Sequence, residues 1–317
     1  MAQRSVVVVE NSVPLRPGAR EEWLSTGLFL FLSPPLARSR QPDPCEELAP
    51  FEAVAVPRRN RPGTLAATWF PAERPRGAVL LLPPWLVWGK AYFHIRGRIQ
   101  ALRAAGYHAL TLDFPGFGDS GPVEGLFDRD VEDGLEFLRQ RAGDLPLHVW
   151  GVSAGGTWAH LALSRACGVA GAMFEDVSPH LLEWSWRMAP AWRPGFLLFR
   201  TCLRSAYRFL DARRHAGAMP VAAVTYVSGE RDRGVRPEDT RALARAAGGR
   251  CRIVPGAGHL GAIKMAGEEI LSLALDTFRR AEEEGPREAR DGPWLCEVES
   301  ADCPSMGGPY EACSVRI

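Results

Sequence analysis

The chain has 317 residues, enough for one large catalytic domain with terminal extensions or for two small domains. Its residues are 46% hydrophobic and 24% charged, the mean hydropathy is −0.12 and the formal net charge is +1. That balance fits a soluble globular protein and excludes a basic polyanion-binding domain, so no nucleic-acid partner is expected.

Residues 1–45 read as an N-terminal extension without clear periodicity. Within it, Trp23 to Ala37 (WLSTGLFLFLSPPLA) is apolar, yet too short for a membrane span and broken by Pro34-Pro35. It follows Glu21-Glu22 and lies too far along the chain for a secretory core, so a cytoplasmic address is expected. A short helix packed on the domain is the expectation here, with interfacial membrane contact as the alternative.

Short apolar runs then alternate with helix-like stretches. Strands are expected at Phe51–Val56, Thr64–Phe70, Ala78–Leu82, His108–Leu112, Leu147–Trp150, Val169–Phe174, Ala222–Val227 and Arg252–Val254. Helices are expected at Lys90–Ala105, Phe127–Arg141, Ala154–Ala166, Pro237–Ala247 and Leu260–Glu284. The first two strands face each other across a Gly-containing turn, as in a hairpin. After Ala78 the strand–helix alternation implies an α/β domain over residues 46–284, with a mostly parallel sheet flanked by helices.

One stretch breaks the rhythm. Residues 177–220 lie between two strands and are rich in aromatic residues, including Trp184, Trp186 and Trp192. So long an insertion implies a helical cap over the carboxyl edge of the sheet, where open α/β sheets bind ligands. Its arginines (Arg187, Arg193, Arg200, Arg204, Arg208, Arg213 and Arg214) read as a solvated helical face, or as partners for an anionic end of a substrate. Residues 285–317 read as a loose tail containing Cys296, Cys303 and Cys313. The seven cysteines are odd in number and lack a Cys-x-x-Cys pair, so reduced thiols and no metal site are expected. Neither a dinucleotide glycine motif nor a P-loop follows a strand, so no cofactor is expected.

The chemistry centres on Gly151-Val152-Ser153-Ala154-Gly155, between the strand ending at Trp150 and the helix beginning at Ala154. This places Ser153 on a sharp strand-to-helix turn, where flanking glycines avoid Cβ collisions and the helix N-terminus favours developing negative charge. A serine hydroxyl needs a base, and His259 follows the last strand through Pro255-Gly256-Ala257-Gly258 at the same sheet edge. His94, His108, His148 and His160 precede the serine or lie within elements, and His180 and His215 belong to the cap. The base in turn needs a carboxylate. Asp232, after the strand Ala222–Val227, is favoured over Glu230, and Asp176 after the preceding strand is the alternative acid.

These residues resemble the α/β-hydrolase superfamily over roughly residues 50–283. The order Ser…Asp…His carries the likeness, together with Asp113-Phe114-Pro115-Gly116-Phe117-Gly118-Asp119-Ser120, Gly229-Glu230-Arg231-Asp232 and Gly258-His259. The resemblance implies an α/β-hydrolase fold and a Ser153, His259, Asp232 triad. It also implies an oxyanion hole made by the Ala154 amide and a donor in the loop after Ala78–Leu82. That loop departs from the family's usual His-Gly by reading Pro83-Pro84-Trp85, and neither proline has an N–H. Trp85 is then the second donor by position, with Leu86 behind it. Trp88, Trp184 and Trp186 are candidates for a hydrophobic substrate pocket, or for packing against the cap. The expected activity is hydrolysis of a small-molecule carboxylic ester or thioester through an acyl-enzyme. An acyltransferase on the same triad and a non-catalytic binding protein of this fold are the alternatives.

Overall fold

Eight strands make up the sheet of the computed structural model, which describes residues 13–22, 24, 44–59, 61–85, 89–121, 125–166, 168–188, 190 and 193–285. They are β1 (Glu52–Pro57), β2 (Thr64–Phe70), β3 (Gly77–Leu82), β4 (Tyr107–Leu112), β5 (Leu147–Val152), β6 (Val169–Glu175), β7 (Ala223–Gly229) and β8 (Arg250–Val254), in the spatial order β1-β2-β4-β3-β5-β6-β7-β8. β1 and β2 pair antiparallel, as the hairpin reading expects, and β2 pairs antiparallel with β4. From β4 to β8 every pairing is parallel.

The central strands β3, β5 and β7 are buried along their whole length because helices cover both faces of the sheet. Period-two alternation splits their side chains between two cores. Leu80 and Leu82 join a core formed with helices α2 (Asp128–Ala142), α3 (Ala154–Leu163) and α8 (Pro237–Ala247). Val79 and Leu81 join the opposite core, against α1 (Arg98–Ala104) and α10 (Gly267–Glu284). Local signals set the helix ends. Asp128 and Asp130 occupy the positive first turn of α2. In α8, Pro237 stands at the first turn and Gly248 closes the end at φ 66°.

Two expected helices are each divided. The stretch Lys90–Ala105 becomes a 3-10 segment, Gly89–His94, followed by α1, with Arg96 and Gly97 at φ 63° and 73° between them. Likewise Leu260–Glu284 becomes α9 (Ala262–Met265) and α10, preceded by Leu260 at φ 57°. The first break is left-handed backbone; in the second, Leu260 delays the start of the helix and Ala266, at φ −135° and ψ 42°, leaves helical geometry between α9 and α10.

Between β6 and β7 the chain forms α4 (Leu181–Met188), α5 (Arg193–Cys202), α6 (Arg204–Phe209) and α7 (Ala212–Ala216). Leu182, Phe196, Phe199 and Phe209 from this insertion pack into the α2–α3–α8 core. The described N-terminal residues are tied to the same side. The Arg16 guanidinium reaches Glu22 and Asp128, Glu22 accepts from the Leu126 amide, and Glu21 accepts from Ala206. Apart from Leu24, the apolar stretch Trp23 to Ala37 lies outside the described residues, as do residues 286–317 with Cys296, Cys303 and Cys313. Among the described residues, no helix is long and apolar enough to cross a membrane.

Candidate active site

A sharp strand-to-helix turn carries Ser153. Its backbone sits at φ 50°, ψ −118°, between the end of β5 and the start of α3. A side chain rarely adopts that conformation, and it costs on the order of 1–3 kcal/mol. The flanking glycines explain how the turn closes. A Cβ on Gly155 would lie 2.3 Å from the Leu82 carbonyl oxygen, and one on Gly151 would lie 2.6 Å from the Gly156 Cα. The Ser153 amide donates to the Glu175 carbonyl at 2.8 Å, which pins the turn to β6.

Ser153 Oγ lies 3.0 Å from His259 Nε2, and His259 Nδ1 lies 2.6 Å from Asp232 Oδ2. A carboxylate can only accept, so Nδ1 carries the imidazole proton and Nε2 presents its lone pair to the serine hydroxyl. Asp232 is held by its own turn, because Oδ1 accepts from the Gly234 and Val235 amides at 2.8 and 2.9 Å. Burial pulls the His259 pKa down, but the Asp232 hydrogen bond and the charges of Asp232 and Asp176 outweigh it and leave the pKa raised.

Asp176 stands beside this array without bonding the imidazole. It follows β6 at φ 49°, is fully buried, and spans two other turns. Its Oδ1 accepts from the Gly229 amide at 3.1 Å and its Oδ2 from the Leu260 amide at 2.8 Å. The residue therefore clips the His259 turn to the end of β7. Burial pushes its carboxyl up to about 7, against the opposing pull of His259, with Asp232 and Glu175 adding to the rise. Ligand-type atoms of Asp176, Asp232 and His259 lie within 4.8 Å of one another, as in a metal site. The hydrogen bonds fit a proton array better: Nδ1 is protonated toward Asp232, and Nε2 faces Ser153.

The other six histidines are engaged elsewhere. His94 packs against Phe70, and His108 accepts from the Ala72 amide. His148 bonds Glu282, and His160 lies between the Gly156 carbonyl and Tyr226. His180 bonds the Tyr207 carbonyl, and His215 bonds Ser164 and the Phe209 carbonyl.

The loop after β3 runs against the start of α3, since the Leu82 and Pro83 carbonyls are the atoms a Gly155 Cβ would strike. Trp85 follows, its ring packed 4.8 Å from Phe117 and 5.6 Å from Phe127. Trp184 from α4 comes within 5.9 Å of the His259 ring and lies against Gly234, so it covers both the His259 and the Asp232 turns. Trp186 is not in ring contact with His259 among the described residues. It packs on the α2–α3–α8 core, and the Arg193 guanidinium sits 5.3 Å above its ring. Trp88 and Leu86 lie outside the described residues.

Two supporting clusters escaped the reading by motif. Lys90 donates to Asp113 from both its amide (2.6 Å) and its ammonium (2.8 Å), and the ammonium also reaches Asp119 at 2.7 Å. This clamp fixes the far end of the Trp85 loop to the Asp113–Ser120 loop. A signal did exist, since Lys90 and Lys264 are the only lysines among 38 basic residues, and a compact ammonium suits a narrow two-carboxylate site. The second cluster is Arg98, which is fully buried and pairs with Glu175 at 3.0 Å, beneath the serine turn. Trp150 Nε1 donates to the same carboxylate at 2.8 Å.

A family model described as the alpha/beta hydrolase family matches residues 79–271. An esterase of Pyrococcus furiosus superposes with a TM-score of 0.65 at 18% identity, covering 80% of this chain and 98% of its own. A thermostable carboxyl esterase of Bacillus coagulans superposes with a TM-score of 0.55 at 15% identity, covering 72% and 99%. In sequence, the lysophosphatidylserine lipase ABHD12 of Gallus gallus is 34% identical over 70 residues. That match spans 22% of this chain and 18% of the lipase.

Proposed function

The chain belongs to the alpha/beta hydrolase family, and within it we propose that this protein is a serine hydrolase cleaving a carboxylic ester or thioester of a largely hydrophobic acyl group. The observation that carries this reading is the continuous hydrogen-bonded line from Ser153 Oγ through His259 to Asp232. The esterase neighbours share the fold, and the lipase named above shares a short sequence stretch.

In the proposed reaction, Ser153 Oγ attacks the acyl carbon while His259 Nε2 takes its proton. Asp232 stabilises the imidazolium that forms. The oxyanion of the tetrahedral intermediate is met by the Ala154 amide at the N-terminus of α3 and by the Trp85 amide. His259 then passes its proton to the leaving alcohol or thiol, and the acyl-enzyme remains on Ser153. Water, deprotonated by the same imidazole, releases the acid. The aromatic surfaces of Trp85, Phe117 and Trp184 around these groups suit an apolar acyl chain.

The direct test is labelling by a fluorophosphonate together with hydrolysis of a short p-nitrophenyl ester. Both should occur in the wild type and both should vanish in Ser153→Ala. A wild type that does neither, under conditions where ordinary esterases react, removes the enzymatic reading in favour of a binding protein. Comparing acyl-coenzyme A substrates with simple esters assigns the leaving group, and an added alcohol acceptor separates hydrolysis from acyl transfer.

A further inference from the structure

The outer face of the helical insertion combines exposed apolar side chains with arginines that have no carboxylate partner among the described residues. Buried Phe196 and Phe199 fix which side of α5 faces the core. At 100° per residue, Pro194, Leu197, Leu198 and Thr201 then form the opposite, outward side. Leu197 and Leu198 are 49% and 64% exposed, and Met188 at the end of α4 is 47% exposed. Single exposed leucines are ordinary, but two adjacent ones on the outward side of a short helix are a local apolar ridge.

The charge around that ridge has one sign. From residue 189 to residue 210 the chain contains Arg193, Arg200, Arg204 and Arg208 and no acidic residue. All four are exposed. The carboxylates of the insertion are already taken: Glu183 and Asp211 are bridged by Arg213, with Arg187 near Glu183 and Arg214 near Asp211. Arg187 also pairs with Asp239. Among the described residues, Arg193 and Arg200 have aromatic partners instead, Trp186 and Tyr207. Such contacts leave the guanidinium charge unneutralised. On α5, Arg193 and Arg200 project to one flank of the Leu197–Leu198 ridge, where long side chains can lie along an apolar surface with their heads in a polar layer.

From this juxtaposition we propose that α5 and α6 dock the protein onto an anionic phospholipid surface, with Leu197 and Leu198 entering the acyl boundary and the four arginines meeting lipid phosphates. Leucines on the outward side, flanked by cations and lacking acids, match the pattern of a helix lying in an interface. The inner side of the insertion carries Trp184 against His259, so docking would set the candidate site beside the lipid. The inference does not depend on the serine chemistry.

Co-sedimentation of the full chain with phosphatidylcholine vesicles, with and without phosphatidylserine, tests it. Wild type should pellet with the phosphatidylserine vesicles and be released by high salt. Leu197→Asp/Leu198→Asp should abolish pelleting. Arg200→Gln/Arg204→Gln/Arg208→Gln should weaken binding by about a hundredfold, from about fivefold for each of the three arginines in contact with the surface. Unchanged melting midpoints and far-UV spectra would verify that both variants fold, since every substituted side chain is exposed. Three outcomes would overturn the proposal: a wild type that fails to pellet with anionic vesicles, a leucine variant that binds as wild type does, or an arginine variant that binds unchanged. Wild-type dimers by light scattering that dissociate in the leucine variant, without vesicle binding, would assign the face to a second copy of the chain.

Discussion

Replacing Asp232 by Asn separates the two carboxylates that the sequence leaves in competition. Asp232 Oδ1 accepts from the Gly234 and Val235 amides, so in the variant the amide oxygen keeps that position and the NH2 turns toward His259 Nδ1. Nδ1 must then accept, the ring proton moves to Nε2, and Nε2 points a hydrogen at Ser153 Oγ when it should be taking one. A base in the wrong tautomer costs about 10⁴-fold in kcat, roughly 5 kcal/mol of transition-state stabilisation.

Asp176→Asn removes something else. Both Asp176 oxygens accept from backbone amides, so an Asn satisfies one and sets an N–H against the other. The stability cost is about 1–3 kcal/mol. The His259–Asp232 hydrogen bond stays, and the expected loss of kcat/KM at the optimum is about tenfold or less. Removing the Asp176 negative charge also lowers the His259 pKa, because that charge is among the causes that raise it. The base is active when neutral, so the acid limb of the kcat/KM profile moves to lower pH in Asp176→Asn. Initial rates on a p-nitrophenyl ester across the pH range read both effects. Equal losses in the two variants, or an acid limb that moves to higher pH, would refute the assignment of the acid.

Other parts of the structure give sharper tests of stability than of chemistry. Arg98→Met leaves Glu175 buried without its guanidinium and should destabilise the fold by about 3–5 kcal/mol in denaturant titrations; a loss under ~0.5 kcal/mol would mean the pair carries nothing. Gly155→Ala places a Cβ into the Leu82 carbonyl and should abolish fluorophosphonate labelling while circular dichroism stays native; normal labelling would show that the turn can open freely. Glu282 is held down at about 2: burial raises its pKa, but bonds from His148, Tyr107 and Arg76 prevail. Its stabilisation is therefore complete above the ordinary glutamate value of 4.5 and is lost as pH falls toward 2. Glu282→Gln should lower the melting midpoint at neutral pH, with the gap to wild type closing over that window; a gap that is constant with pH would exclude the linkage.

Much of the architecture was legible because hydrophobic periodicity and burial share one cause. Runs such as AVLLL are strands buried on both faces, and the structure extends them by no more than a residue or two at either end. The serine turn was legible from Gly151 and Gly155, whose missing Cβ atoms are what the packing requires. Helix continuity was not. Gly97 marks the break inside Lys90–Ala105, but Arg96 and Leu260 turn left-handed without being Gly or Asn, and Ala266, an ordinary helix former, leaves helical geometry inside Leu260–Glu284. Arg98–Glu175 and Lys90–Asp113 were invisible for a different reason. They join residues far apart in sequence, through burial that no short motif encodes.

The choice between Asp232 and Asp176 shows where sequence reasoning reaches its limit. β6 and β7 are parallel neighbours, so the residues that follow them emerge at one edge, and each offers a carboxylate within reach of His259. What decides between them is the shape of each turn. Asp232 comes three residues after Gly229, on a turn whose amides orient one oxygen and leave the other to the imidazole. Asp176 comes directly after Glu175, and its φ of 49° turns it back into the protein, where the Gly229 and Leu260 amides claim both oxygens. Of the four non-glycine residues with positive φ among the described residues, Ser153, Asp176 and Leu260 all gather at this one edge. Strain is concentrated where the candidate nucleophile, the buried carboxylate and the turn after His259 must be held against their local preferences. A carboxylate whose oxygens are both engaged by backbone amides is suited to holding turns together, and one with a free oxygen 2.6 Å from an imidazole is suited to orienting a base. The two aspartates are therefore complementary, and the backbone that divides their roles is the part a residue pattern does not record.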